Sequence, residues 1–279
     1  MDAKAFHARL DEYYAAGDIP GAYDYLCREK AAAAEAGNDA MALTVANALL
    51  GHCRENCLFS EIDGHYREAL RCLEALRLEG TMEEALTMLN AATAYCVMGR
   101  EELSETLYAR AEELHRALLP PGDPRLAAVF NNHGLLYRAQ GKRDKARASF
   151  RRALDILLEG AGEADEVASS RLNLASVTDE LAEAEALCAQ AAAYYDTPDG
   201  RTDIHRFTAR AMEAELCFRR GDREKAARLF EQTADEWEAY GGAPQRLGVL
   251  LRNALYCFEQ AGLEADAARL RARLEEGRA

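Results

Sequence analysis

Asparagine returns along this chain at a nearly fixed interval: Asn47, Asn90, Asn132, Asn173 and, after one skipped beat, Asn253. The steps are 43, 42, 41 and 80 residues. A period of this length marks stacked structural repeats, each packed only on its neighbours. Glycines keep the same beat at Gly37, Gly80, Gly122, Gly162, Gly200 and Gly242. Several lie in turn text, such as Pro120-Pro121-Gly122-Asp123-Pro124 and Thr197-Pro198-Asp199-Gly200. Between the breaks the chain is rich in Ala, Leu, Glu and Arg, which favour helix. Most units hold a second glycine inside: Gly17, Gly99, Gly141, Gly221 and Gly262. Each unit therefore reads as helix, short turn, helix. The expected fold is all-α, a solenoid of about seven such units and about fourteen helices. It forms one domain over residues 1–279, with units near 3–37, 38–80, 81–122, 123–162, 163–200, 201–242 and 243–279.

Composition narrows the function. Hydrophobic residues make up 49% of the chain, enough for a continuous core. The start of the chain lacks the basic region and apolar core of a signal peptide, and no run of about 18 apolar residues spans a membrane. The expected location is cytoplasmic. A net charge of −14 disfavours nucleic acid and anionic membranes as partners. The basic cluster Lys142, Arg143, Lys145, Arg147, Arg151 and Arg152 reads as a solvated helix face with acidic neighbours. Eight scattered cysteines imply no disulfide framework. Cys53 and Cys57 lie four apart beside His52, but no second pair completes a metal-ligand pattern, so no metal and no cofactor are expected.

The unit from about Ala127 shows the repeat best. Phe130, Gly134 and Tyr137 share a helix face, Gly141 turns the chain, and Ala146, Phe150 and Ala153 follow at helical spacing. This resembles the tetratricopeptide repeat, in which small residues let two helices approach and large ones fill the space beside them. The long period resembles the kinesin light chain subclass. So does the text Asn131-Asn132-His133-Gly134-Leu135-Leu136-Tyr137, with Gly122-Asp123-Pro124 ahead of it and Arg152-Ala153-Leu154-Asp155-Ile156 behind. The close resemblance covers roughly residues 82 to 196. It implies a right-handed superhelix whose concave side is lined by the first helix of each unit. It also implies that asparagines at this point of the helix contact the backbone of an extended peptide. Met212 stands where the sixth unit should have asparagine.

The residues support that reading. A carboxamide offers a donor and an acceptor, so it can pair with the C=O and N–H of any peptide unit. Packed helices lie about 8–10 Å apart and an extended chain rises about 3.3 Å per residue, so one rung meets about every third ligand residue. Asn47 through Asn173 then span about nine or ten ligand residues. The candidate peptide-binding set is Asn47, Asn90, Asn131, Asn132, Asn173 and Asn253, with Arg54, Thr93, Ser176 and Arg252 beside them. Arg138 and Arg219 are further candidates for ligand carboxylates. The competing reading is that the asparagines bond to the next helix and set the stacking.

No phosphate loop, dinucleotide motif or zinc-protease motif is present, and no nucleophile is placed for a histidine to activate. The expected function is a non-enzymatic scaffold or adaptor that binds an extended segment of a partner protein in a concave groove. The alternatives are a peptide-sensing regulator and an accessory subunit of an enzyme complex. Sequence gives no partner identity and no oligomeric state.

Overall fold

The computed structural model describes residues 2–160, 162–242 and 244–276, so both ends of the expected 1–279 span lie outside the described residues. Among the described residues there are fourteen helices and no strand. They fall into two compact units, Met1–Lys142 and Arg143–Ala279.

The first unit holds α1 (Ala3–Ala15), α2 (Ile19–Glu35), α3 (Asp39–Glu55), α4 (Phe59–Leu76), α5 (Met82–Val97), α6 (Glu101–Leu118) and α7 (Pro124–Ala139). Short polar side chains start several of these helices. Asp18 accepts the Gly21 N–H at 2.9 Å, Asn38 that of Met41 at 3.1 Å, and Asp123 that of Arg125 at 3.0 Å. Each satisfies a backbone donor that has no partner within the helix. The core is continuous and built from large side chains such as Phe6, Leu26, Leu49, Leu50, Ile62 and Tyr108, all almost wholly buried. Alanines sit where helices come closest. Buried Ala92 lets α6 approach α5 until the Ser104 hydroxyl donates to the Ala92 carbonyl at 2.8 Å. Tyr95 is buried on the same packing face, and its hydroxyl donates to Asp63 of α4 at 2.8 Å. Arg100 clamps the same carboxylate at 3.0 and 3.1 Å.

The second unit holds α8 (Arg143–Glu159), α9 (Ala164–Ala175), α10 (Leu181–Tyr195), α11 (Arg206–Arg220), α12 (Arg223–Ala239), α13 (Pro244–Ala261) and α14 (Glu264–Glu276). Phe207, Phe230, Trp237 and Phe258 anchor a core that takes in Cys217 and Cys257. The cysteines are all free; five are buried and behave as small apolar residues. Along the surface, arginines of α14 and α12 bridge the two helices: Arg228 meets Asp266 at 2.9 Å and Arg273 meets Asp235 at 2.6 Å. On α8, Arg143 pairs with Asp179 at 2.7 Å and Arg151 pairs with Glu183. Two arginines of the basic cluster are thus met by acidic neighbours.

Turn chemistry explains the connections inside the helix pairs. Gly17, Gly99, Gly141, Gly221 and Gly262 all have positive φ. The second pair has no glycine there, and Cys57 takes the left-handed position instead at φ 58°. The fifth pair uses neither device. Its five-residue connection is held by hydroxyls, with Ser176 donating to the Asn173 carbonyl at 2.7 Å and Thr178 to that of Leu174 at 2.8 Å. Arg219 of α11 completes it, donating to the carbonyls of Thr178 and Asp179 at 3.0 and 2.8 Å. That guanidinium is committed to the fold rather than presented for a ligand.

Candidate functional site

Two of the periodic asparagines meet directly in the first unit. α3 and α5 lie side by side, and the Asn90 side-chain N–H donates to Asn47 Oδ1 at 3.0 Å. Asn47 in turn donates to Thr87 Oγ1 at 3.0 Å and to the Leu43 carbonyl at 3.1 Å. The Thr87 hydroxyl, fully buried, donates to the Glu83 carbonyl at 2.8 Å. The result is a relay of oriented amides and hydroxyls that ends in Asn90.

The relay makes the two asparagines unequal. Both donor positions of Asn47 are occupied and its oxygen already accepts one bond. Asn90 uses a single N–H, which leaves its second N–H and its carbonyl oxygen without partners among the described residues. A group with one free donor and one free acceptor is what pairing with a peptide unit requires.

Asn90 and Asn47 line a groove of about 500 Å³ in the first unit. Its walls are mostly apolar, with Leu43, Leu76, Leu78 and Leu86, while Glu83 and His7 add polar edges. The volume lies within the range of ordinary ligand sites. Leu86 and Val97, one turn before and two turns after Asn90 on the same stripe, are 45% and 51% exposed. A second cavity of about 440 Å³, lined by Leu70, Leu73, Arg77 and Glu84, contains none of the periodic asparagines.

The other sequence candidates are dispersed. Thr93 lies on α5, but its hydroxyl donates to the Leu89 carbonyl at 2.7 Å and accepts from Tyr108 at 3.2 Å, which ties α5 to α6. Arg54, on α3, pairs with adjacent Glu55 at 2.7 Å. Asn131 and Asn132 are half-buried on α7. Next to them His133 is buried between Tyr108 and Tyr137, with ring centroids 5.3 and 4.3 Å away. In the second unit, Asn173 and Ser176 sit together at the end of α9. Met212 is buried, so the missing rung is a core position in α11. Arg252 and Asn253 are exposed on α13, and Val249 and Tyr256, flanking Asn253 on its stripe, are 47% and 53% exposed.

Spacing identified the asparagines, but sequence reasoning missed Thr87. Its only signal is its place three residues before Asn90, on the adjoining stripe of the same helix. Among the described residues no helix is long and apolar enough to cross a membrane.

Comparison with known proteins agrees with this architecture. The family model for the tetratricopeptide repeat matches residues 83–159, which run from α5 to α8. No curated protein matches the sequence. Among solved structures, BtubC (BKLC) from P. vanneervenii is similar at 21% identity and a TM-score of 0.61, covering 79% of this chain and 89% of its own. A Podosopora anserina protein of putative kinesin light chain, nearly identical TPR-like repeats is similar at 15% identity and a TM-score of 0.58, covering 71% of this chain and 96% of its own. The apo form of the quorum sensor NprR from B. thuringiensis is similar at 15% identity and a TM-score of 0.57, covering 99% of this chain and 81% of its own. NprR in complex with its cognate peptide NprX is also similar, at 16% identity and a TM-score of 0.61, with coverage of 95% and 77%. Helix pairs on a fixed beat, small residues at their closest approach and the family match lead to one conclusion: the chain carries tetratricopeptide repeats, matched over residues 83–159, within an all-α repeat fold.

Proposed function

We propose that this chain is a non-enzymatic interaction module that holds an extended peptide segment of a partner protein in the α3–α5 groove. The observation that supports this most directly is the relay from Thr87 through Asn47 to Asn90. It fixes one carboxamide in place with a donor and an acceptor free, beside exposed Leu86 and Val97. Asn90 reads the peptide backbone, the leucines supply apolar pockets, and Asn47 orients Asn90. Asn131 and Asn132 are further candidate contacts in the first unit; Asn173, Ser176, Arg252 and Asn253 are a separate candidate set in the second. Arg54 and Thr93, already paired, contribute less. Free thiols fit a cytoplasmic setting. The negative charge argues against nucleic acid as the ligand.

An array of overlapping extended peptide segments tests this reading. Bound peptides should lose about 0.5–1.5 kcal/mol of affinity on Asn90→Ala. Leu86→Asp should weaken them further. An array with no binder, or binders indifferent to both changes, overturns the proposal.

A second reading, a peptide-sensing regulator, is favoured by the similarity to NprR, whose structure is known with its cognate peptide. Small-angle scattering separates the two. A change of dimensions on adding the bound peptide supports a sensor, and unchanged dimensions support a scaffold.

A further inference from the structure

The strongest feature outside the groove is a cluster where α3 and α4 meet, buried at Cys53 and His65 and half-buried at Glu61. Cys53 ends the last turn of α3, and Glu61 and His65 lie one turn apart on α4. Their ligand atoms all lie within 4.8 Å of one another. Cys53 is wholly buried and His65 is 5% exposed. His65 Nε2 faces the Glu61 carboxylate at 3.5 Å yet makes no hydrogen bond. A buried nitrogen left unsatisfied in this way is costly, and native structures avoid it unless something else pairs with it.

We propose that Cys53, Glu61 and His65 form a binding site for a zinc-like divalent transition-metal ion. The donor set is one thiolate, one carboxylate and one imidazole, which suits a borderline-soft ion and not calcium or magnesium. Bond lengths of about 2.0–2.3 Å put neighbouring donors of a tetrahedral zinc about 3.3–3.8 Å apart. The His65–Glu61 separation of 3.5 Å already lies in that range. Charge balances as well: a thiolate and a carboxylate neutralise the dication, so the site carries no net charge. The Tyr23 hydroxyl donates to Glu61 at 2.5 Å and fixes the carboxylate, the kind of outer support that metal ligands need. Three protein ligands leave a fourth position for water or a small ligand.

Two groups set the conditions for binding. A thiol ligates as the thiolate, so the ion must displace the Cys53 proton. The S–H bond breaks, the sulfur lone pair coordinates the ion, and the proton passes to solvent. His65 must ligate as the neutral imidazole. The Lys30 ammonium lies 3.5 Å from His65 Nδ1. It must swing away when Nε2 ligates and Nδ1 carries the ring proton, and Lys30 is exposed and has room to do so. The site differs from the helical pair Cys53 and Cys57, because Cys57 is exposed in the turn.

Titration of the full chain, purified metal-free, with Co²⁺ and then Zn²⁺ tests the proposal. The expected result is saturable binding with a thiolate-to-cobalt charge-transfer band, release of a proton, and displacement by Zn²⁺. Cys53→Ser should abolish the band. His65→Gln should weaken Zn²⁺ by at least about 100-fold, since even outer-shell changes cost 10–100-fold. Cys57→Gly should leave binding intact. No thiolate band in the unaltered chain overturns the proposal whether or not any variant folds. So does a band that survives Cys53→Ser.

Discussion

Asn47 and Asn90 are the same residue put to different uses. Asn47 is held on three sides and transmits order; Asn90 receives that order and keeps a free face. Removing either one breaks their shared bond, so the two changes should couple. In a double-mutant cycle of Asn47→Ala and Asn90→Ala, stability should show an interaction of about 0.5–1.5 kcal/mol. Peptide affinity should depend on Asn90 directly and on Asn47 only while Asn90 is present. Independent effects in denaturant melts would mean that the relay does not exist in solution. Spacing alone made these residues legible. Their division of labour was not, because it turns on Thr87 and on the offset between α3 and α5, which no single-helix periodicity encodes. Glu84 gives a second test at this scale. Burial pushes its carboxyl up, but Arg110 at 3.0 Å and the Gly80 N–H at 2.6 Å pull it further down, and the net shift is downward. A depressed carboxylate contributes stability above its unfolded pKa of about 4.3, and that contribution fades as pH falls toward the folded value. Arg110 is 35% exposed, so screening limits the contribution to about 1 kcal/mol. Melting temperatures should fall more shallowly below about pH 4.5 in Glu84→Gln than in the parent.

At the scale of elements, the turns decide which sequence signals can be read. Five helix pairs carry glycine at the left-handed turn, and sequence locates those turns at once. The second pair carries Cys57 there, at φ 58°, and no glycine marks that turn in the sequence. An L-residue in that conformation costs about 1–2 kcal/mol, while glycine pays more entropy on folding. Cys57→Gly should therefore stabilise the chain by about 0.5–1 kcal/mol, read as a higher urea midpoint at constant slope. Gly200 is constrained differently. A Cβ there would lie 2.1 Å from the Tyr194 carbonyl oxygen, which is backbone and cannot move aside. Gly200→Ala should cost about 1–3 kcal/mol through overpacking of the second unit. Its periodicity was plain in the sequence, but the reason for it, closeness and not handedness, was not. The metal-ligand cluster escaped for a similar reason. Glu61 and His65 share a face of α4, yet Cys53 joins them only because the Cys57 turn folds α3 back onto α4.

For the molecule as a whole, the proposed peptide binding assigns charge and the amide relay to different steps. A net charge of −14 attracts cationic chains from a distance and repels anionic ones. The reach of that field is about 30 Å at 0.01 M salt and about 8 Å at physiological ionic strength. Backbone-reading amides are indifferent to ligand charge once contact is made. Two peptides sharing one core segment, one flanked by lysines and the other by glutamates, should therefore differ mainly in association rate. At low salt the basic peptide should associate at least about tenfold faster, and the gap should close as salt rises. Dissociation rates should match within about twofold at every salt concentration, because the contacts that hold the core carry no net charge. Stopped-flow fluorescence with labelled peptides measures both rates. If charge instead changes dissociation and leaves association alone, ion pairs rather than the Asn90 amide hold the ligand, and the groove reads side chains before backbone.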